Sequence, residues 1–105
     1  MTEFYSEFVQ ESKEAITDLN NALLDLERSP EDDEAMDQIF RTAHTLKGNA
    51  GAMGLDPASE LAHALEDLLD AIRAGSLSVS PELMDDVFDA VDLLEAMVEE
   101  VEDHG

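Results

Sequence analysis

The sequence has no cysteine, no tryptophan and only 5 Lys plus Arg residues against 27 Asp plus Glu. Each shortage excludes a class of chemistry. Without cysteine there are no disulfides, no thiolate nucleophile and no cysteine-ligated zinc. The formal net charge of -22 gives a surface that a nucleic-acid backbone or an anionic membrane would repel, so nucleic-acid binding is not expected. No apolar run reaches membrane-spanning length and no signal-peptide pattern opens the chain, which predicts a soluble, cytoplasmic protein without membrane insertion. Aromatics make up only 5% of the residues, leaving Leu, Ala, Ile, Val, Met and four Phe to build the interior. That palette favours helices over a β-sandwich. At 105 residues and 44% hydrophobic, the chain can bury one modest core, as a single domain.

Three origins for the acidity compete: a disordered acidic tail, a calcium buffer, or a folded protein adapted to a high-salt cytoplasm. Apolar residues recur too regularly for disorder. The most acidic loop, "PEDDEAMDQ", lacks the central glycine of an EF-hand. Salt adaptation fits best, because at ~1 M salt the Debye length shrinks to ~3 Å and repulsion among so many carboxylates is largely screened.

The three prolines share one local grammar. "SPE" at Ser29 to Glu31, "DPASE" at Asp56 to Glu60 and "SPE" at Ser80 to Glu82 each place a capping side chain before a proline, with acids in the following turn. Side-chain oxygens at such a position accept from free backbone N–H groups, proline suits the first helical turn, and acids complement the helix dipole. Gly54 and Gly75 mark the stops. The expected helices therefore run over about 2–28, 30–53, 57–74 and 81–102. Their apolar stripes are Phe8, Ile16, Leu19, Leu23 and Leu26; Ile39, Ala43, Leu46, Ala50 and Met53; Leu61, Leu65, Leu68 and Ile72; and Leu83, Val87, Val91, Leu94 and Val98. Short connections make successive helices antiparallel neighbours. The predicted fold is all-α, an antiparallel up-and-down four-helix bundle.

On the second helix, His44 stands ~130° from the centre of the core stripe and so faces outward. Lys47, Gly48 and Gly51 fall close to the same line. Glycine inside a helix costs ~1 kcal/mol relative to alanine, so Gly48 and Gly51 need a reason. Either they let another helix pack closely, or they clear the face beside His44 for something large; an outward histidine and lysine favour access. Lys47 could pair with an acid one turn away, or could attract a phosphoryl group. Imidazole is a competent nucleophile near neutral pH when a carboxylate on one ring nitrogen fixes its tautomer. The third helix carries "HALE", His63 to Glu66. Spacing does not say whether these reach His44, and on the residues alone Glu66 reads as one of many solvated acids. A three-ligand zinc site from His44, His63 and Glu66 is a further possibility, though nothing else marks a zinc protein and no metal is expected. "KGNAGAMG" has no Lys-Ser or Lys-Thr after its last glycine and is not a phosphate-binding loop.

At these residues the sequence resembles the histidine phosphotransfer (HPt) domain family, and within it the amino-terminal domains of CheA-type chemotaxis kinases. "AHTLKGNAGAMGL", Ala43 to Leu55, followed by "LAHALEDLLDAIRAG", Leu61 to Gly75, carries the resemblance, and "EFYSEFVQESKEAITDLNNALLDLE" extends it over nearly the whole chain. The resemblance implies that His44 is a phosphoacceptor, attacking the γ-phosphate of ATP held with magnesium in a separate CheA kinase core. It implies that Glu66 orients His44, that Lys47 and His63 complete the polar network, and that Gly48 and Gly51 leave room for partners. The phosphoryl group would pass to an aspartate of a response-regulator receiver of the CheY or CheB type. The domain would then bind no cofactor of its own and act as substrate and carrier, monomeric in isolation. The chain reads as a piece of a longer kinase, with no role for His104. A free-standing or hybrid-kinase HPt module, and a helical interaction module without chemistry, are the alternatives.

Repulsion among the carboxylates makes folding salt-dependent: circular dichroism across a KCl titration should show helicity rising from millimolar to molar salt, and full, salt-independent helicity would contradict it.

Overall fold

The computed structural model describes the backbone of residues 3–104 and the side chains of residues 6–101. Four helices account for its regular structure: α1 (Glu3–Arg28), α2 (Asp33–Ala52), α3 (Asp56–Arg73) and α4 (Pro81–His104). Each packs on its neighbours in the order α1, α2, α3, α4 and back to α1, which makes an antiparallel up-and-down bundle, 43 × 20 × 20 Å. The expected start of the first helix at Thr2 and the side chain of His104 lie outside the described residues.

The interior follows the apolar periodicity. Leu19, Leu23 and Leu26 of α1, Ile39 and Ala43 of α2, and Val87 and Val91 of α4 are fully buried. Each large side chain so covered contributes ~1.5–3 kcal/mol of hydrophobic transfer, which is what holds helices whose surfaces repel one another. The α3 stripe departs from expectation. Its buried line is Ala58, Ala62, Leu65 and Leu69, while Leu61, Leu68 and Ile72 are only half-covered at its flank. Two alanines at the centre let α3 approach α2 closely, and large side chains on the flank then close the seam. Reading the leucines as the centre rotates the helix by part of a turn. The rotation matters because Glu66, four residues beyond Ala62, comes inward with the alanine line.

The helix ends show which capping signals operate. Ser80 Oγ accepts from the backbone N–H of Leu83 at 3.1 Å, as its sequence context predicts. At the second start the expected cap is displaced. Ser29 accepts from the Asp32 N–H through its backbone carbonyl at 2.9 Å, closing a turn around Pro30. Asp32 becomes the cap, its Oδ1 accepting from Ala35 N–H at 3.0 Å, so the helix opens at Asp33 rather than Pro30. The sequence "SPEDD" offers two capping residues in succession, and the proline turn uses the first. The third helix begins at Asp56 itself, with Leu55 in the cap position and no side-chain cap. Its first-turn carboxylate still complements the dipole. Gly54 and Gly75 end α2 and α3 in the left-handed region, with φ of 74° and 83°. At both, the N–H of the next residue reaches back to the carbonyl five residues earlier, Leu55 to Ala50 and Ser76 to Ala71, each at 2.9 Å. A side chain with a β-carbon would be strained there, so both stops are firm.

Candidate functional site

The site lies on the seam between α2 and α3, midway along the bundle. Helix α2 presents His44 outward, its side chain 66% exposed, and Lys47 one turn further along on the side nearer α3. Helix α3 supplies Glu66, which is buried. A buried carboxylate in a helix face otherwise made of alanine and leucine is unstable unless it is paired. Both its oxygens are satisfied. Lys47 Nζ donates to Oε1 at 2.8 Å, and His44 Nδ1 lies 2.6 Å from Oε2.

These contacts set the protonation pattern. The hydrogen bond from Lys47 is the main cause holding the Glu66 carboxyl below its ordinary range; burial opposes it, and the His44 hydrogen bond adds to it. An ionised carboxylate can only accept, so the short contact places the imidazole proton on Nδ1. The lone pair is therefore on Nε2. Nε2 makes no hydrogen bond among the described residues, and the side chain that carries it is mostly exposed. The arrangement is an imidazole held from behind by a carboxylate, with its free nitrogen presented to solvent, which is the geometry of a nucleophile.

The neighbouring backbone matches this reading. A β-carbon at Gly48 would meet nothing within 4 Å, so no other part of the bundle needs that glycine and the face beside His44 is open. Gly51 differs: a β-carbon there would stand 3.5 Å from Ser59 Oγ, in ordinary contact with α3. Ser59 also donates from Oγ to the carbonyl of Lys47 at 3.3 Å, tying the first turns of α3 to the turn of α2 that carries the lysine. The open face thus begins at Gly48 and is bounded on the α3 side at Gly51.

His63 stands apart from the network. It reaches along its own helix to Asp67, Nε2 to Oδ1 at 3.6 Å, and makes no hydrogen bond or ion pair with His44 or Glu66. The possible His44, His63 and Glu66 metal set is accordingly not assembled, and no cluster of three ligating side chains occurs among the described residues. Sequence reasoning from the residues alone left Glu66 as a solvated acid. The missed signal is its position four residues after Ala62 on the alanine line, which turns it inward.

The chain is similar to known proteins along nearly its whole length. The Hpt domain family model matches residues 3–104. The chain is 54% identical over all 105 residues to the chemotaxis protein CheA of Halobacterium salinarum, of which it spans only 16% of the length. Among solved structures it resembles the CheA phosphotransferase domain from Thermotoga maritima, with TM-score 0.89, 41% identity and 94% of each chain covered. It also resembles the phosphorylated P1 domain of CheA3, solved in complex with CheY6 from R. sphaeroides, with TM-score 0.89, 27% identity, and 100% of this chain and 83% of that chain covered.

The lowered Glu66 pKa has a pH signature. Glu66→Gln should cost ~1–3 kcal/mol of stability at neutral pH, since it leaves the partly buried Lys47 ammonium facing a neutral amide. A carboxyl whose folded pKa lies below its unfolded value of ~4.3 stabilises fully above that value and loses the contribution as pH falls through the folded one. Denaturant unfolding of both proteins at fixed salt should therefore show their difference shrinking as the pH falls below the unfolded value. A gap that persists unchanged into strong acid would contradict the assignment.

Proposed function

The chain belongs to the Hpt domain family, and from that premise we propose that it is the phosphotransfer domain of a CheA-type chemotaxis kinase with His44 as its phosphoacceptor. The observation that carries the reading is the one carboxylate that pins His44 Nδ1 and Lys47 together and leaves Nε2 free on an open face. The phosphoryl donor is ATP bound with magnesium in the separate kinase core of the same system. The Nε2 lone pair forms the N–P bond while the bond from the γ-phosphorus to the bridging oxygen breaks, and ADP leaves with that electron pair. Positive charge develops on the ring as the bond forms. The Nδ1 proton stays in its hydrogen bond to Glu66, so the charge lies against a carboxylate.

Onward transfer reverses the roles. A carboxylate oxygen of a receiver aspartate attacks phosphorus, the N–P bond breaks, and Nε2 recovers its electron pair. Receivers of the CheY or CheB type are the partners, and the solved complex of a phosphorylated CheA3 domain with CheY6 supports that assignment by similarity. Gly48 lets both the kinase core and the receiver bring phosphorus to Nε2 without meeting a side chain. Lys47 acts through Glu66: it keeps the carboxylate ionised and in place. The protein works in the cytoplasm, and the kinship with the Halobacterium salinarum protein supports reading the net charge of -22 as adaptation to high internal salt.

The test is phosphoryl transfer from ATP by a CheA kinase core in molar KCl, comparing the wild type with His44→Gln. Acid-labile, base-stable label on the wild type alone is the expected result. No label on a folded wild type, with the kinase shown to be active, would leave a helical interaction module as the better account.

A further inference from the structure

Positive charge is scarce in this chain, and four of its five cations are already engaged. Arg28 pairs with Asp25 at 2.8 Å. Lys47 is held on Glu66 at 2.8 Å. Arg73 lies over the ring of Phe40, 4.6 Å from its centroid, and Lys13 is engaged as well. Arg41 is different: its side chain is exposed, and among the described residues no carboxylate pairs with it and no ring lies under it. It lines a shallow groove of about 350 Å³ between α1 and α2, with Glu11, Glu14 and Asp18 across from it. Even that acidic wall does not capture it in an ion pair.

Its place on the helix is what gives this weight. Arg41 precedes His44 by three residues, so the two β-carbons are ~5–6 Å apart. Around the axis they are ~60° apart, with Lys47 ~60° away on the other side of His44 and Gly48 one turn further toward the C-terminus. Side chains on a helix lean toward its N-terminus, so the His44 ring lies over the turn that Arg41 begins. The open face at Gly48, one turn beyond the ring, leaves a group attached to Nε2 room on the C-terminal side, and Arg41 flanks the ring on the N-terminal side. The phosphorylated ring would carry a dianionic group into a surface of net charge -22, beside a lysine already committed to Glu66.

We propose that Arg41 is a phosphoryl-binding residue of the site, its guanidinium donating to the oxygens of the phosphoryl group on His44 Nε2. The inference rests on His44 being the phosphoacceptor. Division of labour follows: Lys47 serves the carboxylate behind the ring, and Arg41 serves the phosphoryl group in front of it. A planar fork of N–H donors matches phosphate oxygens in a way that an ammonium does not.

The experiment uses wild type, Arg41→Gln and Arg41→Lys, phosphorylated by the kinase core in molar KCl. Each is followed by rate of labelling and by the phosphorus NMR shift of the phosphohistidine as a function of pH. Arg41→Gln should slow labelling by about fivefold, the effect of one exposed charge pair, and should move the phosphoryl titration to higher pH, because the dianion loses its cation. Arg41→Lys should restore the titration in part. A purely structural role would lower stability in denaturant without moving the phosphorus titration, and that result would overturn the proposal. Equal rates and equal titrations in the wild type and Arg41→Gln would also overturn it, while leaving His44 as the acceptor. An unlabelled wild type would remove the underlying reading as well.

Discussion

Everything distinctive about this bundle depends on one carboxylate that sits where an apolar side chain would otherwise be. Glu66 is buried on the α3 face that meets α2, and a lone ionised group there would be destabilising by several kcal/mol. Two donors from α2 relieve it, Lys47 on one oxygen and His44 on the other. The same two bonds that make the carboxylate tolerable fix which nitrogen of His44 is protonated and which way the ring faces. Stability and chemistry are therefore the same interaction seen from its two ends.

That interaction needs α2 and α3 to lie close and in register. Small residues provide the closeness: Ala58 and Ala62 on one side, Ala43 and Ala50 on the other, all buried. The register is held at the end of the seam where α2 passes into α3. Gly54 reverses the chain tightly between the two helices, and Ser59 fastens the start of α3 to the carbonyl of Lys47 at 3.3 Å. Neither contact touches the imidazole. Both determine whether Glu66 arrives at it.

Much of this was legible in the sequence, and what was not has a common cause. Apolar period, proline and glycine gave the four helices, the outward direction of His44 and the stops at Gly54 and Gly75, because each depends on one helix or one turn. The start of α2 was misplaced to Pro30 because Ser29 and Asp32 are both competent caps, and only the folded chain decides between them. The α3 face was rotated toward Leu61, Leu68 and Ile72 because leucine marks hydrophobicity strongly, whereas alanine marks the place of closest approach. Contacts between helices were the blind spot. From the residues alone Glu66 looked like surface, and only the family resemblance assigned it to His44. That same resemblance drew His63 into the network, although its partner here is Asp67.

Glu66 accepts from the imidazole, which puts the proton on Nδ1 and leaves the Nε2 lone pair free for the proposed attack. Nitrogen NMR of ring-labelled protein in molar KCl reads this directly through the shifts of the two His44 nitrogens. The expected result is the Nδ1–H tautomer in the wild type, with coupling to phosphorus appearing at Nε2 after phosphorylation. A wild-type ring protonated on Nε2, or phosphorus coupled to Nδ1, would contradict it.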